Sequence, residues 1–588
     1  MADHHSAVKG GLYQLNRPSN SVCAGTERAP ADTACLNAGT VPESGHHSTG
    51  AKTADMSEQT AWKAAAQKVT KNSPLVSWLA VALVCISLIA ALRICFDRGL
   101  HDEIGTESWG RALFAIGAAV TQMKHGGYGY TLSNVIEAIL GDGGLTDNAS
   151  ILAPLGAKFP ENLRDPALIN AAIDKAAQFK WPFNPNEAVR GSGGDDLGLV
   201  DYVRLSFLLF GFRVQSLFFT YFLILGISAA AFLYAFRLRP ALLMLLVIAC
   251  VAQIMVFSSV LFDRSVLGSI FDPRFLSALA IIPGLHLGCL LLDRSRPTPD
   301  NIVLTVIQSL ILVFAIWIRS SASWVVVGVA ALAALVSLRA LLNSRFNPVQ
   351  LWSLGVLLLV LAVHTVWAST ALHPIYREKG EISRHVFWHA VFFRLQFHPG
   401  WDQKYSAAYD HARFDELPRV AALKYMQRHP PADPDAVYLT PDREHLKIAA
   451  SETYVRKAFF EFLAADPKFV LESTFIYNPL NMTTILEEFL QSLGQTDAWQ
   501  RIVAACVLVI VAAILTATSD HLRLFGGGVL VVTGWFLISL SPILLTNAHR
   551  QAMGDQFILL LITIGGWVVF TLSAGMRAFF WHLGRRRP

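Results

Sequence analysis

Charged residues are scarce in this 588-residue sequence: Asp, Glu, Lys and Arg make up only 15% of it, whereas hydrophobic residues make up 53%. The mean hydropathy is +0.43. A soluble chain of this length needs a more polar surface, so the composition indicates a membrane protein with several spans. The net charge is only +5, and the sequence has no basic stripe, which argues against a nucleic-acid partner.

Cysteine is absent from two long polar stretches, 97–212 and 372–499. This absence excludes disulfide-stabilised domains, thiolate metal sites and thiol catalysis there. The sequence also lacks internal repeats and the P-loop, zinc-protease and Gly-x-Ser-x-Gly motifs. We therefore expect any chemistry to be built between the polar stretches and the ends of the spans.

Long apolar runs are the main feature that is present. About ten runs are long enough to cross a membrane. They fall at roughly 75–95, 214–236, 241–262, 272–292, 302–318, 323–342, 351–371, 500–518, 523–546 and 555–580. Residues 1–73 are poor in large apolar side chains and contain no apolar segment of a signal peptide, which predicts a disordered cytoplasmic tail.

These features predict an all-α polytopic membrane protein with about ten transmembrane helices and two large outward-facing loops. A transmembrane core of seven spans covers 74–371 and contains the first outer loop, 97–212. The second outer loop covers 372–499, and three C-terminal spans cover 500–588. Helical spacing of apolar residues at 109–140, 166–180 and 451–463 predicts amphipathic helices in both loops, the last with Ser451 as its N-cap.

Arginine is distributed unevenly between the short loops. The short segments on one side of the predicted membrane carry eleven arginines, namely Arg237, Arg239, Arg294, Arg296, Arg339, Arg345, Arg523, Arg577, Arg585, Arg586 and Arg587. The short segments on the opposite side carry four, namely Arg264, Arg274, Arg319 and Arg550. Because cytoplasmic loops are rich in Lys and Arg, both termini are predicted to be cytoplasmic and both long loops to lie outside. The expected location is a bacterial inner membrane.

Acidic residues cluster directly after the first apolar run, at Asp97, Asp102, Glu103 and Glu107. A carboxylate at the depth of the lipid headgroups is costly unless it is paired or hydrated, which favours a functional role. The same acids also suit the first turn of a helix, where the helix dipole favours negative charge. Both interpretations stay open at this point.

The layout resembles that of GT-C-type glycosyltransferases, which have one long outer loop after the first span and another after the seventh. These multi-spanning enzymes take a sugar from a polyprenyl-phosphate carrier. The resemblance implies a lipid-linked donor, and a glycan, lipid or protein as the acceptor. It also implies that Asp102 or Glu103, which match the family's acidic residue after the first span, act as the general base on the acceptor hydroxyl.

Two further groups of acids lie at the ends of spans. Asp195 and Asp196, on a glycine-rich turn before the second span, suit a divalent cation such as Mg²⁺ or Mn²⁺, or a solvated helix cap. Between the third and fourth spans, where several GT-C families also have acids, the sequence has two Asp-Arg units. These units, Asp263 with Arg264 and Asp272 with Arg274, suit either the carrier phosphate and substrate or two local ion pairs.

Two more segments carry candidate substrate-binding residues. Arg319 lies between two spans on the predicted outer face, where it suits bidentate binding of a phosphate or a snorkelling position at the interface. The segment 383–402 mixes histidines with aromatic residues, which is typical of a sugar-binding rim or of an amphipathic segment on the bundle. Its candidates are Trp388, His389, Arg394, His398 and Trp401.

Two other functions stay open. A transporter or flippase of a lipid-linked saccharide would use His286 or His364, which lie within spans, but the spans show no inverted repeat. A non-catalytic membrane subunit of an envelope polysaccharide machine would not need the acids at all. The sequence does not specify the sugar, the acceptor or the length of the carrier.

Overall fold

The computed structural model divides the chain into two units, Met1–Ala65 and Ala66–Pro588. All residues that it describes belong to the second unit. They are 78–79, 81–83, 85–86, 89, 109–125, 166–178, 197–257, 276–292, 297–343, 348–371, 387–413, 416–434, 437–438, 446, 448–493, 510–514, 516–517, 522–546 and 553–585.

The described residues are almost entirely helical. The first polar loop contributes α1 (Trp109–Val120), α2 (Pro166–Gln178) and α3 (Leu197–Phe210). Apolar helices follow, namely α4 (Gln215–Ala235), α5 (Pro240–Phe257), α6 (Ile281–Leu292), α7 (Pro299–Ile318), α8 (Ser323–Leu342) and α9 (Trp352–Ala371). The second loop forms α10 (Phe387–Phe393), α11 (Trp401–Lys404), α12 (Glu416–Arg428), α13 (Ile448–Ala465), α14 (Pro467–Glu472) and α15 (Asn478–Leu493). The last helices are α16 (Leu522–Leu545) and α17 (Gly554–Arg585).

Six of these helices are long and apolar enough to cross a membrane, so the chain is an all-α, multi-pass membrane protein. They are α4, α7, α8, α9, α16 and α17, while α5 and α6 are apolar but contain shorter apolar segments. The predicted number of ten spans is not reached in the described part of the chain. Most of the predicted spans 75–95 and 500–518 lies outside the described residues.

Close helix packing in the bundle depends on small residues. Trp535 of α16 is almost completely buried and lies against Gly284 of α6 and Gly328 of α8. A Cβ atom added at Gly284 or Gly328 would lie only 2.4 Å or 2.5 Å from an atom of the Trp535 ring. Lipid supplies no hydrophobic force between helices, so such dispersion contacts, made possible by glycine, hold the bundle together.

A proline within α16 removes one backbone donor from the helix. Pro542 has no N–H to donate to the carbonyl four residues earlier, at Ile538. The hydroxyl of Ser541 donates to that carbonyl instead, at an O···O distance of 2.7 Å. The apolar helix thereby keeps its backbone oxygens hydrogen-bonded, as a lipid environment requires.

One end of each of the four spans α4, α7, α16 and α17 lies at the same end of the bundle. Ser228 of α4 binds Gln308 of α7, and the first-loop helix α3 contacts both Leu217 at the start of α4 and Trp317 near the end of α7, so α4 and α7 are antiparallel. Gly526 of α16 lies against Phe570 of α17, and Val529 lies against Gly566, so α16 and α17 are also antiparallel. The charge of Arg319, after α7, interacts with Asp555 in the first turn of α17, which relates the two pairs. The first residues of α4 and α17 and the last residues of α7 and α16 therefore lie at one end of the bundle. We call this the Arg319 end, after the residue that follows α7.

The helices of the first loop cover the Arg319 end. Gly198 of α3 packs on the backbone of Trp317, and the Tyr202 hydroxyl of α3 donates to the carbonyl of Leu217 at 2.5 Å. Asn170 of α2 accepts the backbone N–H of Val214 at 2.9 Å, and so satisfies a donor that the start of α4 leaves unpaired. The first part of the predicted helical region 109–140 is helical at Trp109–Val120, and the predicted helix 166–180 is found at Pro166–Gln178. Residues 126–140 lie outside the described residues.

The second loop folds into a small helical unit, Phe387–Leu493, which we call the second-loop module. Its core is aromatic and includes Phe392, Trp401, Phe459, Phe462 and Phe469. The predicted N-cap at Ser451 is wrong, because α13 begins earlier, at Ile448, and so contains Ser451 within the helix. Apolar periodicity located the helix, but it did not fix the first residue.

The second-loop module is attached to the Arg319 end through α16. The Asn478 side chain donates to the carbonyls of Ile543 and Leu544, both at 2.9 Å, and Arg394 Nη1 donates to the carbonyl of Leu545. These are carbonyls of the last turn, which have no partner within their own helix. The described parts of both polar loops therefore lie at the same end of the bundle.

Candidate functional site

The Arg319 end brings together charged residues from three helices. Asp201 and Arg204 lie on α3, Arg319 follows α7, and Asp555 lies in the first turn of α17. Charged side chains at the ends of apolar helices are costly in a membrane unless they are paired, so this group is the strongest candidate site among the described residues.

Asp201 holds α3 against α7. Its carboxylate accepts the indole N–H of Trp317 at 2.8 Å and binds Arg204 Nη1 at 3.3 Å. The ring of His364, on α9, lies 5.1 Å from the Trp317 ring, centroid to centroid, and interacts electrostatically with Asp201. Asp201 thus joins three helices at the Arg319 end.

Arg204 projects from the same helix. Its side chain is 42% exposed, and its Nε atom is buried without a hydrogen-bond partner among the described residues. A guanidinium has five N–H donors, and the single contact with Asp201 occupies one of them. Arg204 therefore has capacity to bind an anion at the edge of the bundle.

Arg319 leaves α7 in an extended conformation (φ −145°, ψ 111°), while its backbone N–H donates to Ala315 at 2.9 Å. Its charge interacts with Asp555, which is only 7% exposed. The Asp555 carboxylate also accepts the backbone N–H of Gln556. The charges of Arg319 and Asp555 are therefore coupled between the end of α7 and the start of α17.

Most of the predicted acids lie outside the described residues. These are Asp97, Asp102, Glu103, Glu107, Asp195, Asp196, Asp263 and Asp272, together with the arginines Arg264 and Arg274. The predicted base and the predicted Mg²⁺ or Mn²⁺ site therefore stay predictions. Within the described part of the chain, no group of three His, Cys, Asp or Glu side chains is arranged to hold a metal ion.

Of the residues predicted for a sugar-binding rim at 383–402, the structure corrects the expectation for Trp401. Trp401 is completely buried in the core of the second-loop module, with its ring 5.5 Å from that of Tyr409. Its ring faces therefore contact protein and do not meet a ligand. Trp388 is partly buried against Phe459 and Phe460, at centroid distances of 5.7 Å and 5.3 Å.

The polar candidates of this segment also have structural partners. Arg394 is 4% exposed and caps α16 through Leu545, and burial lowers the pKa of its guanidinium to about 10. His398 is stacked on Phe469 at 3.8 Å and contacts Glu472 at 3.3 Å. Sequence could not separate these roles from sugar binding, because both use aromatic rings beside hydrogen-bonding groups.

His389 has a role at the start of α10. The Glu452 carboxylate of α13 accepts the backbone N–H groups of Trp388 at 2.8 Å and of His389 at 2.9 Å. A carboxylate at this position satisfies two donors that the helix start leaves unpaired and complements the helix dipole. The segment 387–401 therefore fixes the second-loop module and its attachment to the bundle.

Comparisons with known proteins do not identify the chain. No family model, no curated protein and no solved structure matches it. The site must therefore be interpreted from its own geometry.

Asp555 is the residue of this site that sequence reasoning did not select. A signal was present, because an acid directly precedes the apolar run of α17. Arg319 was among the residues predicted to bind substrate. Asp201 and Arg204 follow the glycine-rich turn on which Asp195 and Asp196 were predicted to bind a cation. That the charges of Arg319 and Asp555 interact could not be predicted, since the two residues are far apart in the chain.

Proposed function

We propose that this protein is a membrane-embedded glycosyltransferase that moves a sugar from a polyprenyl-phosphate carrier to an acceptor at the outer face of the membrane. The substrate site would lie at the Arg319 end, under the helices of the two polar loops. In this proposal the Arg319 end faces the outside, and both termini face the cytoplasm.

The position of Arg319 is the observation that carries the proposal. It follows an apolar span, and its charge interacts with that of the buried Asp555. In the proposal, this end of the span lies at the depth of the lipid phosphates. The planar guanidinium matches the geometry of phosphate oxygens, and it binds them with short, charge-assisted hydrogen bonds. A lipid-borne donor would reach this position from the bilayer without leaving it.

The two polar loops support the same interpretation. The helices α1 to α3 and the second-loop module both lie at the Arg319 end, so a polar chamber can form where the lipid-linked substrate arrives. Asp102 and Glu103 keep their proposed role as general base on the acceptor. Asp201 is given a positioning role, because its carboxylate is engaged by Trp317 and Arg204.

Transport is a weaker interpretation of the described residues. Deep in the bundle, Ser228 donates to Gln308 at 2.7 Å, and Gln308 lies 3.5 Å from Nδ1 of His286. All three side chains are fully buried, and the amide of Gln308 also donates to the Ser228 carbonyl. Such a buried, mutually hydrogen-bonded group is typical of side chains that stabilise helix packing in lipid, here between α4, α6 and α7.

The proposal is tested by binding of a lipid phosphate. The full chain in nanodiscs of neutral lipid would be titrated with farnesyl phosphate, and with farnesol as the ligand that lacks the phosphate. We expect Arg319→Gln to raise the Kd for farnesyl phosphate about tenfold or more. Arg319→Lys keeps the charge but loses the planar fork, so it should bind with intermediate affinity.

Two control variants separate binding from folding. Arg339→Gln removes an arginine from the last turn of α8, at the opposite end of the bundle, and should leave the Kd unchanged. Arg319→Gln removes a positive charge that interacts with the buried Asp555, so the double variant with Asp555→Asn should recover any lost thermal stability but not binding. Equal Kd values for the wild type and a stably folded Arg319 variant would contradict the proposal.

A further inference from the structure

An open groove of about 580 Å³ lies between α12 and α13 of the second-loop module. It is lined by Tyr425, His429, Arg456, Lys457, Phe460 and Glu461. Its volume is within the range of about 300–1,000 Å³ that is typical of small-molecule sites. We call it the α12–α13 groove.

The groove carries a net positive charge. Its one acid, Glu461, is ion-paired with Arg428, so the charge of this carboxylate is offset. Arg456 and Lys457 are exposed, and neither has an acidic partner among the described residues. Lys457 lies over the ring of Tyr454, at 5.2 Å from the centroid, which holds the ammonium beside the groove. An anion is therefore the ligand that these side chains favour.

The groove also offers aromatic rings. Phe460 is 51% exposed, although its ring packs beside Trp388 at a centroid distance of 5.3 Å. Tyr425 lies 4.5 Å from the His429 ring, centroid to centroid. Exposed aromatic faces at an open groove suit the apolar faces of sugar rings, while hydroxyl and imidazole groups provide hydrogen bonds.

The walls of the groove are rigid elements. The helices α12 and α13 share the aromatic core of the second-loop module, with Ala421, Val455 and Ala458 buried between them. Lys424 of α12 also pairs with Asp410 at 2.6 Å. Because both walls are held by packing, the cations and rings are positioned before a ligand binds.

We propose that the α12–α13 groove binds an anionic saccharide, that is, a sugar that carries a carboxylate or a phosphate. Arg456 and Lys457 bind the acidic group, and Phe460 and Tyr425 contact the sugar ring. Binding itself is independent of catalysis. The further assignment of the groove as an acceptor subsite rests on the proposed transferase function.

The test uses the full chain in nanodiscs of neutral lipid and isothermal titration calorimetry. The probes are trigalacturonate and glucose 6-phosphate, with uncharged maltotriose as the control ligand. We expect both anionic probes to bind and maltotriose to bind far more weakly. The double variant Arg456→Gln/Lys457→Gln should raise the Kd for both anionic probes about tenfold or more.

A matched control removes two cations elsewhere in the second-loop module. Arg419→Gln/Lys468→Gln loses the same charge at exposed residues outside the groove and should leave the Kd unchanged. Phe460→Leu keeps an apolar side chain but removes the ring. It should weaken trigalacturonate binding and leave the weak binding of inorganic phosphate unchanged.

Three results would overturn the proposal. They are no binding of either anionic probe, equal Kd values for the groove variant and the matched control, and tighter, groove-dependent binding of dihexanoyl phosphatidylglycerol than of both sugars. The last result would assign the groove to a lipid headgroup. None of these results bears on Arg319, so they are distinct from a failure of the farnesyl phosphate test.

Discussion

Asp466 shows how a single carboxylate organises part of the second-loop module. It caps α14 by accepting the N–H of Phe469 at 3.2 Å, and it also binds the Tyr405 hydroxyl at 2.6 Å and the Lys404 ammonium. The hydrogen bond from Lys404, followed by that from Tyr405, lowers the pKa of the Asp466 carboxyl from 3.8 to about 2. The folded protein therefore favours the ionised form.

This shift predicts a pH dependence. Because the folded pKa is below the unfolded value, the stabilisation is fully present above about pH 4 and is lost as the pH falls towards about 2. Asp466→Asn should lower the stability of the module above pH 4 by about 1 kcal/mol through the weakened cap. It should also remove this part of the acid sensitivity.

Thermal unfolding between pH 2 and pH 7, followed by near-UV circular dichroism, measures both effects. Glu416→Gln is a suitable control, since the exposed Glu416 carboxylate pairs with its neighbour Arg419 on the surface of α12. If Asp466→Asn kept the wild-type acid dependence, the account of this cap would be wrong.

At the scale of residues, the sequence indicated which side chains could bind a ligand, but it did not indicate which of them are buried. Arg319 was predicted at an interface, and it is found at the end of an apolar span beside Asp555. Trp401 was predicted to be available to a ligand but is buried, because Tyr405, Tyr409 and Phe462 surround it. Whether an aromatic ring is exposed depends on contacts between helices, which periodicity within one segment does not contain.

At the scale of elements, the Trp535 side chain of α16 packs against both α6 and α8. Gly284→Ala and Gly328→Ala would each place a methyl group within 2.5 Å of an atom of the Trp535 ring, so the ring or a helix must shift. We expect each variant to destabilise the bundle by roughly 1–3 kcal/mol, as overpacking of a core does.

Gly355→Ala is the matched control, because a Cβ atom added there meets nothing within 4 Å. Thermal stability in nanodiscs, read from tryptophan fluorescence, should fall for Gly284→Ala and Gly328→Ala and stay equal or rise for Gly355→Ala. An equal response of all three would show that helix propensity, rather than contact with Trp535, determines the effect.

The sequence predicted the positions of the apolar helices better than their number or their first and last residues. The apolar runs at 302–318 and 323–342 correspond closely to Pro299–Ile318 and Ser323–Leu342, because long runs of this kind have one stable structure in lipid. Boundaries were less predictable. Ser451 has the side chain of an N-cap, but α13 starts at Ile448, since a local side-chain preference does not by itself fix the first residue of a helix.

At the scale of the whole molecule, the described parts of both polar loops are joined to one end of the bundle. The contacts that join the second-loop module to α16 link residues 65 and 151 positions apart, Asn478 with Ile543 and Arg394 with Leu545. Sequence predicted the position of both loops through the distribution of arginine. It could not predict which side chains cap α16, because local patterns do not record contacts over such separations.

Reporter fusions test the orientation that we propose. Fusions after Ser150 and Pro430 should report the outside, and fusions after Thr298 and Pro588 should report the cytoplasm. Opposite sides for Ser150 and Pro430 would contradict the placement of both loops at one face.

The most direct measurement of the central claim is consumption of a lipid-linked sugar. Proteoliposomes with the full chain would receive synthetic polyprenyl-phosphate hexoses with a labelled sugar, together with envelope extract as the source of acceptor. The account predicts transfer of the label and release of polyprenyl phosphate by the wild type. For the folded variant Asp102→Asn/Glu103→Gln, it predicts a rate lower by roughly 10²–10⁴, as for loss of a general base. Transfer at an unchanged rate by that variant, or no consumption of any donor by the wild type, would contradict it.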